Sequence, residues 1–275
     1  MIAISRRGRQ SAIYFVVLAT QTGVHPIPLL QFLWLMALTA LITLTTPSRA
    51  VTAEELADYR NAIENVLQAM DAQPMDEHWF FTITLAQGDE VQIIQSSPLR
   101  EEPLRRQLIS VNGSPPSQKQ LEKYAAQEKK RIEDEAAEGD ENGYGYLVDS
   151  STLSMATTSA ATDTAAPSGQ GQLIELNFSP RIKAFEDDQS KLQGSLLFNI
   201  EQNTVEKISV HNTAKLSPAF SVSLTNYQME LVFSLLQAHQ LLQQMNTTLQ
   251  GKYGFMKKFD SKINIQFSDF RRHSS

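Results

Sequence analysis

The sequence predicts an α+β fold, mainly β, in which one large antiparallel sheet carries a few helices. Two observations predict it. From Gln172 to Phe270 one strand-like run follows another, each alternating apolar with polar residues. Ahead of these lies a single well-marked amphipathic helix that opens at Thr52. A sheet with one apolar face has to cover that face, and the candidates are helices, a partner or a hydrophobic ligand.

The first fifty residues differ from the rest. They hold Arg6, Arg7, Arg9 and Arg49 and no acidic residue. Two apolar runs follow the basic start, Ala12 to Ala19 and Leu29 to Leu44, and Ser48 and Ala50 precede Val51 with small-x-small spacing. That pattern predicts a signal peptide over 1–50, cleaved before Val51. An uncleaved anchor is the alternative, because the second run falls just short of the ~20 residues that span a bilayer. Either way residues 51–275, read as a single domain, are exported, with the periplasm as the expected compartment.

The chain contains no cysteine, so disulfides and cysteine-based metal sites are excluded. The formal charge is −6 with the arginine-rich leader included, and the body alone is more acidic still. Nucleic acid is therefore not an expected partner.

Thr52 and Glu55 have capping-box spacing. Leu56, Tyr59, Ile63, Val66, Leu67 and Met70 follow as one apolar stripe, and the helix is expected to stop between Asp71 and Pro74. The period then changes to two. Trp79, Phe81, Ile83 and Leu85 share a side, Gly88-Asp89 turns the chain, and Val91 to Gln95 and Arg106 to Val111 supply two further strands. Asn112 to Pro116 breaks the pattern, and Ser117 caps a charged helix running to about Glu135. Its thin apolar side (Leu121, Tyr124, Ile132) predicts a helix that is mostly solvated. Tyr146-Leu147-Val148 reads as a short strand. Ser154 to Gly171 is poor in large apolar residues and reads as a flexible insertion.

In the C-terminal meander, Ile174, Leu176 and Phe178 share a side, as do Leu192, Gly194, Leu196, Phe198 and Ile200. Val205 to His211 forms the next strand. Phe220, Val222 and Leu224 are followed by Met229, Leu231, Phe233 and Leu235, then by Leu241 to Gln250, and Phe259, Ile263, Ile265 and Phe267 close the series. A helix over Glu230 to Asn246 competes with the strand reading, and continuity of the alternation favours strand.

The order of leader, amphipathic helix and long meander resembles the LolA/LolB-type lipoprotein carriers and their relatives, periplasmic stress sensors among them. The stretches Leu108 to Ser117, Phe220 to Leu231 and Phe259 to Arg271 carry the resemblance, which covers most of Thr52 to Arg271. It implies a strongly curved antiparallel half-barrel wrapped around helices, with an apolar cavity inside. Lipid carriage is a further implication, weaker because one fold hosts many functions.

No chemistry stands out. The five histidines show no ligand-type spacing, no Gly-x-Ser-x-Gly elbow or phosphate-binding glycine loop occurs, and Asp187-Asp188 reads as a solvated turn. The expectation is a non-enzymatic protein without cofactor or metal. The apolar stripes carry the functional question. Trp79, Phe81, Ile83, Leu196, Phe198, Val222, Leu224, Leu231 and Phe233 line either a plain core or a cavity. A helix of about twenty residues is ~30 Å long, whereas roughly eight to ten strands at ~4.8 Å spacing make a wider sheet. That surplus points to a lipid or acyl chain as ligand, with an envelope protein contacting a filled-core module as the alternative. Lys252, Lys257, Lys258, Lys262, Arg271 and Arg272 form a local basic excess. It suits anionic headgroups or an acidic partner, or else guards strand edges.

Overall fold

The computed structural model describes residues 52–138, 143–156, 172–219, 221–254 and 257–273. The leader, Phe220 and most of the Ser154 to Gly171 insertion lie outside the described residues. Among those described, no helix is long and apolar enough to cross a membrane.

The chain is mainly β. Eleven strands form one antiparallel sheet: β1 (Trp79–Gln87), β2 (Glu90–Ser96), β3 (Arg106–Val111), β4 (Ser154–Met155), β5 (Leu173–Phe178), β6 (Leu192–Asn199), β7 (Thr204–Asn212), β8 (Leu216–Ala219), β9 (Val222–Leu236), β10 (His239–Tyr253) and β11 (Lys257–Arg272). The strand order is β3-β2-β1-β11-β10-β9-β7-β6-β5-β4, with β8 paired to β9 off that path. The C-terminal strands therefore run as a meander, and β11 returns to pair with β1.

Among the described residues four α-helices accompany the sheet: α1 (Ala53–Ala72), α2 (Met75–His78), α3 (Gln118–Glu138) and α4 (Tyr144–Leu147). Helix α1 starts at the expected capping box. Glu55 N donates to Thr52 Oγ1 at 3.2 Å, and Thr52 N donates to Glu55 Oε2 at 2.8 Å. Ile63, Leu67 and Met70 of its stripe are buried, and Leu56, Tyr59 and Val66 pack at the margin. The segment after α3 holds this helix down. Arg60 donates to the Leu153 carbonyl at 3.1 and 2.6 Å, and Ser150 Oγ donates to Glu64 at 3.1 Å.

That segment corrects one expectation. Tyr146 and Leu147 lie in α4, and only Val148 makes an isolated bridge, with Pro180. The reason is Asp71, whose carboxylate accepts from Tyr144 N at 2.7 Å and Gly145 N at 2.9 Å. A carboxylate at this point satisfies the free N–H groups of a first helical turn. Ser154 and Met155 likewise pair with β5 as strand β4.

Between Glu230 and Asn246 the chain is strand, β9 turning into β10 at Gln237-Ala238. Strand β9 also explains a break in its own apolar pattern. Leu224 is buried, and so are Tyr227, Met229, Leu231 and Phe233, so the parity switches. A bulge does this: Gln250 pairs with Asn226 while the next residue, Gly251, pairs with Leu224. The bulge brings the Ser223 carbonyl so close that a Cβ on Gly251 would lie 2.1 Å from it. Leu235, expected on the apolar face, is 50% exposed. It lies past Val232, the last β9 residue that β7 pairs, so nothing from β7 flanks it.

Replacing Gly251 by alanine is expected to destabilise the fold by about 1–3 kcal/mol, read as a lower urea midpoint with an unchanged slope. At the β9–β10 turn the opposite change is available. Gln237 and Ala238 both have positive φ, 50° and 63°, where a type I′ turn favours Asn-Gly. Gln237→Asn with Ala238→Gly is expected to raise the melting temperature by about 2–4 °C, measured by thermal circular dichroism.

Candidate functional site

The apolar face of the sheet holds two buried clusters. The larger joins α1, α4 and strands β5 to β10 and contains Leu196, Phe198, Leu224, Leu231 and Phe233. The smaller joins Trp79, Phe81 and Ile83 of β1 to Ile94, Leu108, Val111 and Leu241. Eight of the nine residues expected to line a core or cavity are thus buried by the protein's own atoms, none more than 6% exposed. Val222 is half-buried and packs against the larger cluster. The nine do not converge on one point, because α1 sits over one part of the sheet and Trp79 packs at another.

Between the clusters runs β11, and here cover is thin. Phe259, Ile263, Ile265 and Phe267 alternate onto the apolar face, yet all four are only half-buried. Ile265 pairs with Leu85 of β1 on one side and Met245 of β10 on the other, and Ile263 pairs with Gln87 and Thr247. Ile265 and Phe267 touch both clusters. The result is a half-open apolar seam along β11, with buried core to either side at Ile265 and Phe267 and only β10 alongside at Phe259. Thr247, opposite Ile263, is 2% exposed, and its hydroxyl has no hydrogen-bond partner among the described residues. An unpaired buried hydroxyl costs about 1–3 kcal/mol.

The sequence pattern pointed to β11 as a strand with an apolar side. It did not mark the seam, because exposure depends on where helices lie.

The second notable feature is ionic. Asp76 of α2 pairs with Arg106 of β3 and accepts from Ser96 Oγ at 2.7 Å. Burial would raise the Asp76 pKa, but the Arg106 guanidinium and the Ser96 hydroxyl outweigh it and hold the carboxyl below its ordinary value. Close by, Arg131 of α3 reaches Glu128 at 2.9 Å, Glu135 at 2.5 Å and Glu102 at 3.3 Å. Burial and then the Glu128 carboxylate push the Tyr124 phenol up. Two of these three carboxylates lie on α3 itself; off the helix, Arg131 reaches Glu102 and Tyr124 packs against the smaller cluster, with Glu128 and Arg131 each 10% exposed at the side chain. The helix is mostly exposed, as its few apolar residues predict: Leu121 is 39% exposed, and Glu128 is the one buried residue between 118 and 135.

Asp187 is exposed, but Asp188 is buried. It pairs with Lys191 at 2.5 Å and accepts from Ser217 N at 2.6 Å, which together hold its carboxyl below the ordinary value. It ties the 3-10 segment Lys183–Lys191 to β8. A concavity of about 320 Å³ lies nearby, lined by Asp149, Ser179, Arg181, Gln189 and Ser190 among others. Its lining charges are engaged, since Asp149 pairs with Arg181 and accepts from Ser151 Oγ at 2.6 Å. Among the described residues no group of three or more His, Asp or Glu is placed to hold a metal ion.

Compared with family models, with curated proteins and with solved structures, the chain matches none.

Asp76→Asn would leave Arg106 buried without its counter-charge and is expected to cost about 3–5 kcal/mol at neutral pH, against about 1 kcal/mol for Ser96→Ala. Because the Asp76 pKa is lowered on folding, its stabilisation is complete above the unfolded value of ~3.9 and drains away as pH falls further. Urea midpoints measured from neutral pH down to about pH 3 should fall more steeply for the native chain than for Asp76→Asn.

Proposed function

We propose that the protein is an exported, non-enzymatic binder of a hydrophobic chain, a lipid or the acyl chain of a lipoprotein. In this reading the sheet curves as a half-barrel around α1, and the periplasm is its place of work. The observation that carries the proposal is the seam: Ile263, Ile265 and Phe267 are half-buried on a stretch of β11 paired on both sides, Ile265 and Phe267 touch both apolar clusters, and Phe259 continues the line where β10 alone pairs. Apolar side chains in the middle of a sheet are ordinarily its best-covered residues, so a half-open line there is a surface suited to an apolar occupant. Trp79, Phe81, Ile83, Leu196, Phe198, Leu224, Leu231 and Phe233, with Val222 at the margin, form the walls behind it.

One observation favours a second reading, an envelope interaction module with a filled core. The residues of the two clusters are already buried by the protein's own atoms. An envelope protein would then be the partner, and the outward side of α3 its natural contact. The acidic body makes nucleic acid an unsuitable partner in both readings.

Native mass spectrometry of gently extracted protein separates the two. The ligand reading expects an added lipid-like mass and displacement of that mass by a fluorescent fatty acid. Ile263→Gln is expected to weaken binding of the fluorescent probe about tenfold. A protein that is empty on extraction and indifferent to the probe sinks the first reading. Crosslinking in cells that repeatedly traps one envelope protein would then support the second.

A further inference from the structure

The seam ends at the β10–β11 hairpin, and the tip of that hairpin has its own chemistry. Lys252 stands directly opposite Lys258, and Tyr253 opposite Lys257. Lys262 follows on the same side of β11 as Lys258. All four lysines are exposed, and Tyr253 is 59% exposed. None of the four lysines has an ion-pair partner among the described residues, unlike Lys129, Lys130, Lys191 and Lys207. The single acid among them, Asp260, accepts from Gln250 Nε2 at 3.0 Å. A net positive tip thus projects from a body that is acidic as a whole.

Guarding an open strand edge does not account for this arrangement. Residues 257–262 of β11 do run past the last β1 pair, Gln87 with Ile263. Lys252, however, lies on β10, which is paired on both sides, with Ser223 of β9 and Lys258 of β11. Like charges placed directly opposite each other cost stability. An edge guard also has no use for an exposed tyrosine at the tip. Unpaired lysines around an exposed aromatic suit one surface well: an anionic bilayer, where each lysine is attracted to headgroup phosphates and a tyrosine rests at headgroup level.

We propose that the tip of the β10–β11 hairpin docks on an anionic lipid bilayer, with Lys252, Lys257, Lys258 and Lys262 at the headgroups and Tyr253 at the interface. Docking stands whether or not the seam holds a ligand. The hairpin docks tip-first, since Lys252, Lys258 and Lys262 lie on one face and Tyr253, Lys257, Phe259 and Ile263 on the other; if the seam holds a ligand, its end then meets the membrane, and that clause alone rests on the proposed function.

The test uses the full chain in every variant, so that only the substituted residues differ. The chain has no cysteine, so Tyr253→Cys accepts a single polarity-sensitive dye. On vesicles containing phosphatidylglycerol the dye emission is expected to shift to the blue. No shift is expected on phosphatidylcholine vesicles, nor from a dye at Gln202→Cys in the β6–β7 turn, at the opposite end of the sheet. Lys252→Gln with Lys258→Gln, in a chain that keeps Tyr253, is expected to lower partition onto the anionic vesicles roughly thirty-fold, about fivefold per lysine. Raising the salt should shrink that difference as the Debye length drops from ~10 Å at 0.1 M to ~3 Å at 1 M. An unshifted dye at 253 on anionic vesicles, an equal shift at 202, or an unchanged partition of the double lysine variant would each overturn the proposal. An acidic protein as the occupant would show itself by the first and third of these.

Discussion

The pairing of β1 with β11 holds the structure together. It joins residues almost two hundred positions apart, from Trp79 with Arg272 to Gln87 with Ile263. On one side of this contact lie β1, β2 and β3, and on the other the seven-strand path from β11 to β4. Without it the N-terminal strands would be a small separate sheet, and three strands with one apolar face have little core of their own. With it, Phe81 meets Phe267 and Phe270, with ring centroids 5.9 and 6.0 Å apart. The same pairing places β11 in the interior of the sheet, which is why its partial cover draws notice. A contact of such sequence separation closes late and at a large loop entropy, so folding is expected to be slow relative to helical proteins of this size.

Two kinds of anchoring hold the helices to that sheet. Helix α1 is seated by apolar burial, supplemented by Arg60 on the Leu153 carbonyl and by Asp71 on α4. Helix α3 has few apolar residues: Tyr124 packs against the smaller cluster and Arg131 reaches Glu102, beside the Asp76–Arg106 pair. Neutral burial is insensitive to protonation, whereas the ionic anchor depends on carboxylates staying charged. The two ends of the apolar face therefore respond differently to acid. The half-covered seam lies between them, where neither anchor reaches.

Much of the fold was legible in the residues, because the signals were local. Thr52 and Glu55 announced α1, Arg106 to Val111 announced β3 with its observed limits, and period-two alternation carried the strand reading through Glu230 to Asn246. Errors arose where a distant group decided a local shape. Tyr144 to Leu147 is helical because Asp71 caps it from over seventy residues away. Asp188 is buried because Ser217 N and Lys191 satisfy it. Leu235 belongs to the right period but lies beyond the reach of β7. The parity switch between Leu224 and Met229 has its cause in a bulge against Gly251, which no local spacing marks.

By itself the sequence determined the long strands and which face of each is apolar, because side-chain alternation is a property of the extended backbone alone. It also determined that the tip between β10 and β11 is basic and aromatic. Tertiary structure alone decided how much of the apolar face is covered. Cover depends on where the helices dock, and docking is set by long-range contacts such as Asp71 with Tyr144 and Arg60 with Leu153. For that reason the seam along Phe259, Ile263, Ile265 and Phe267 could be written as a strand from its spelling, and known as half-open only from its neighbours.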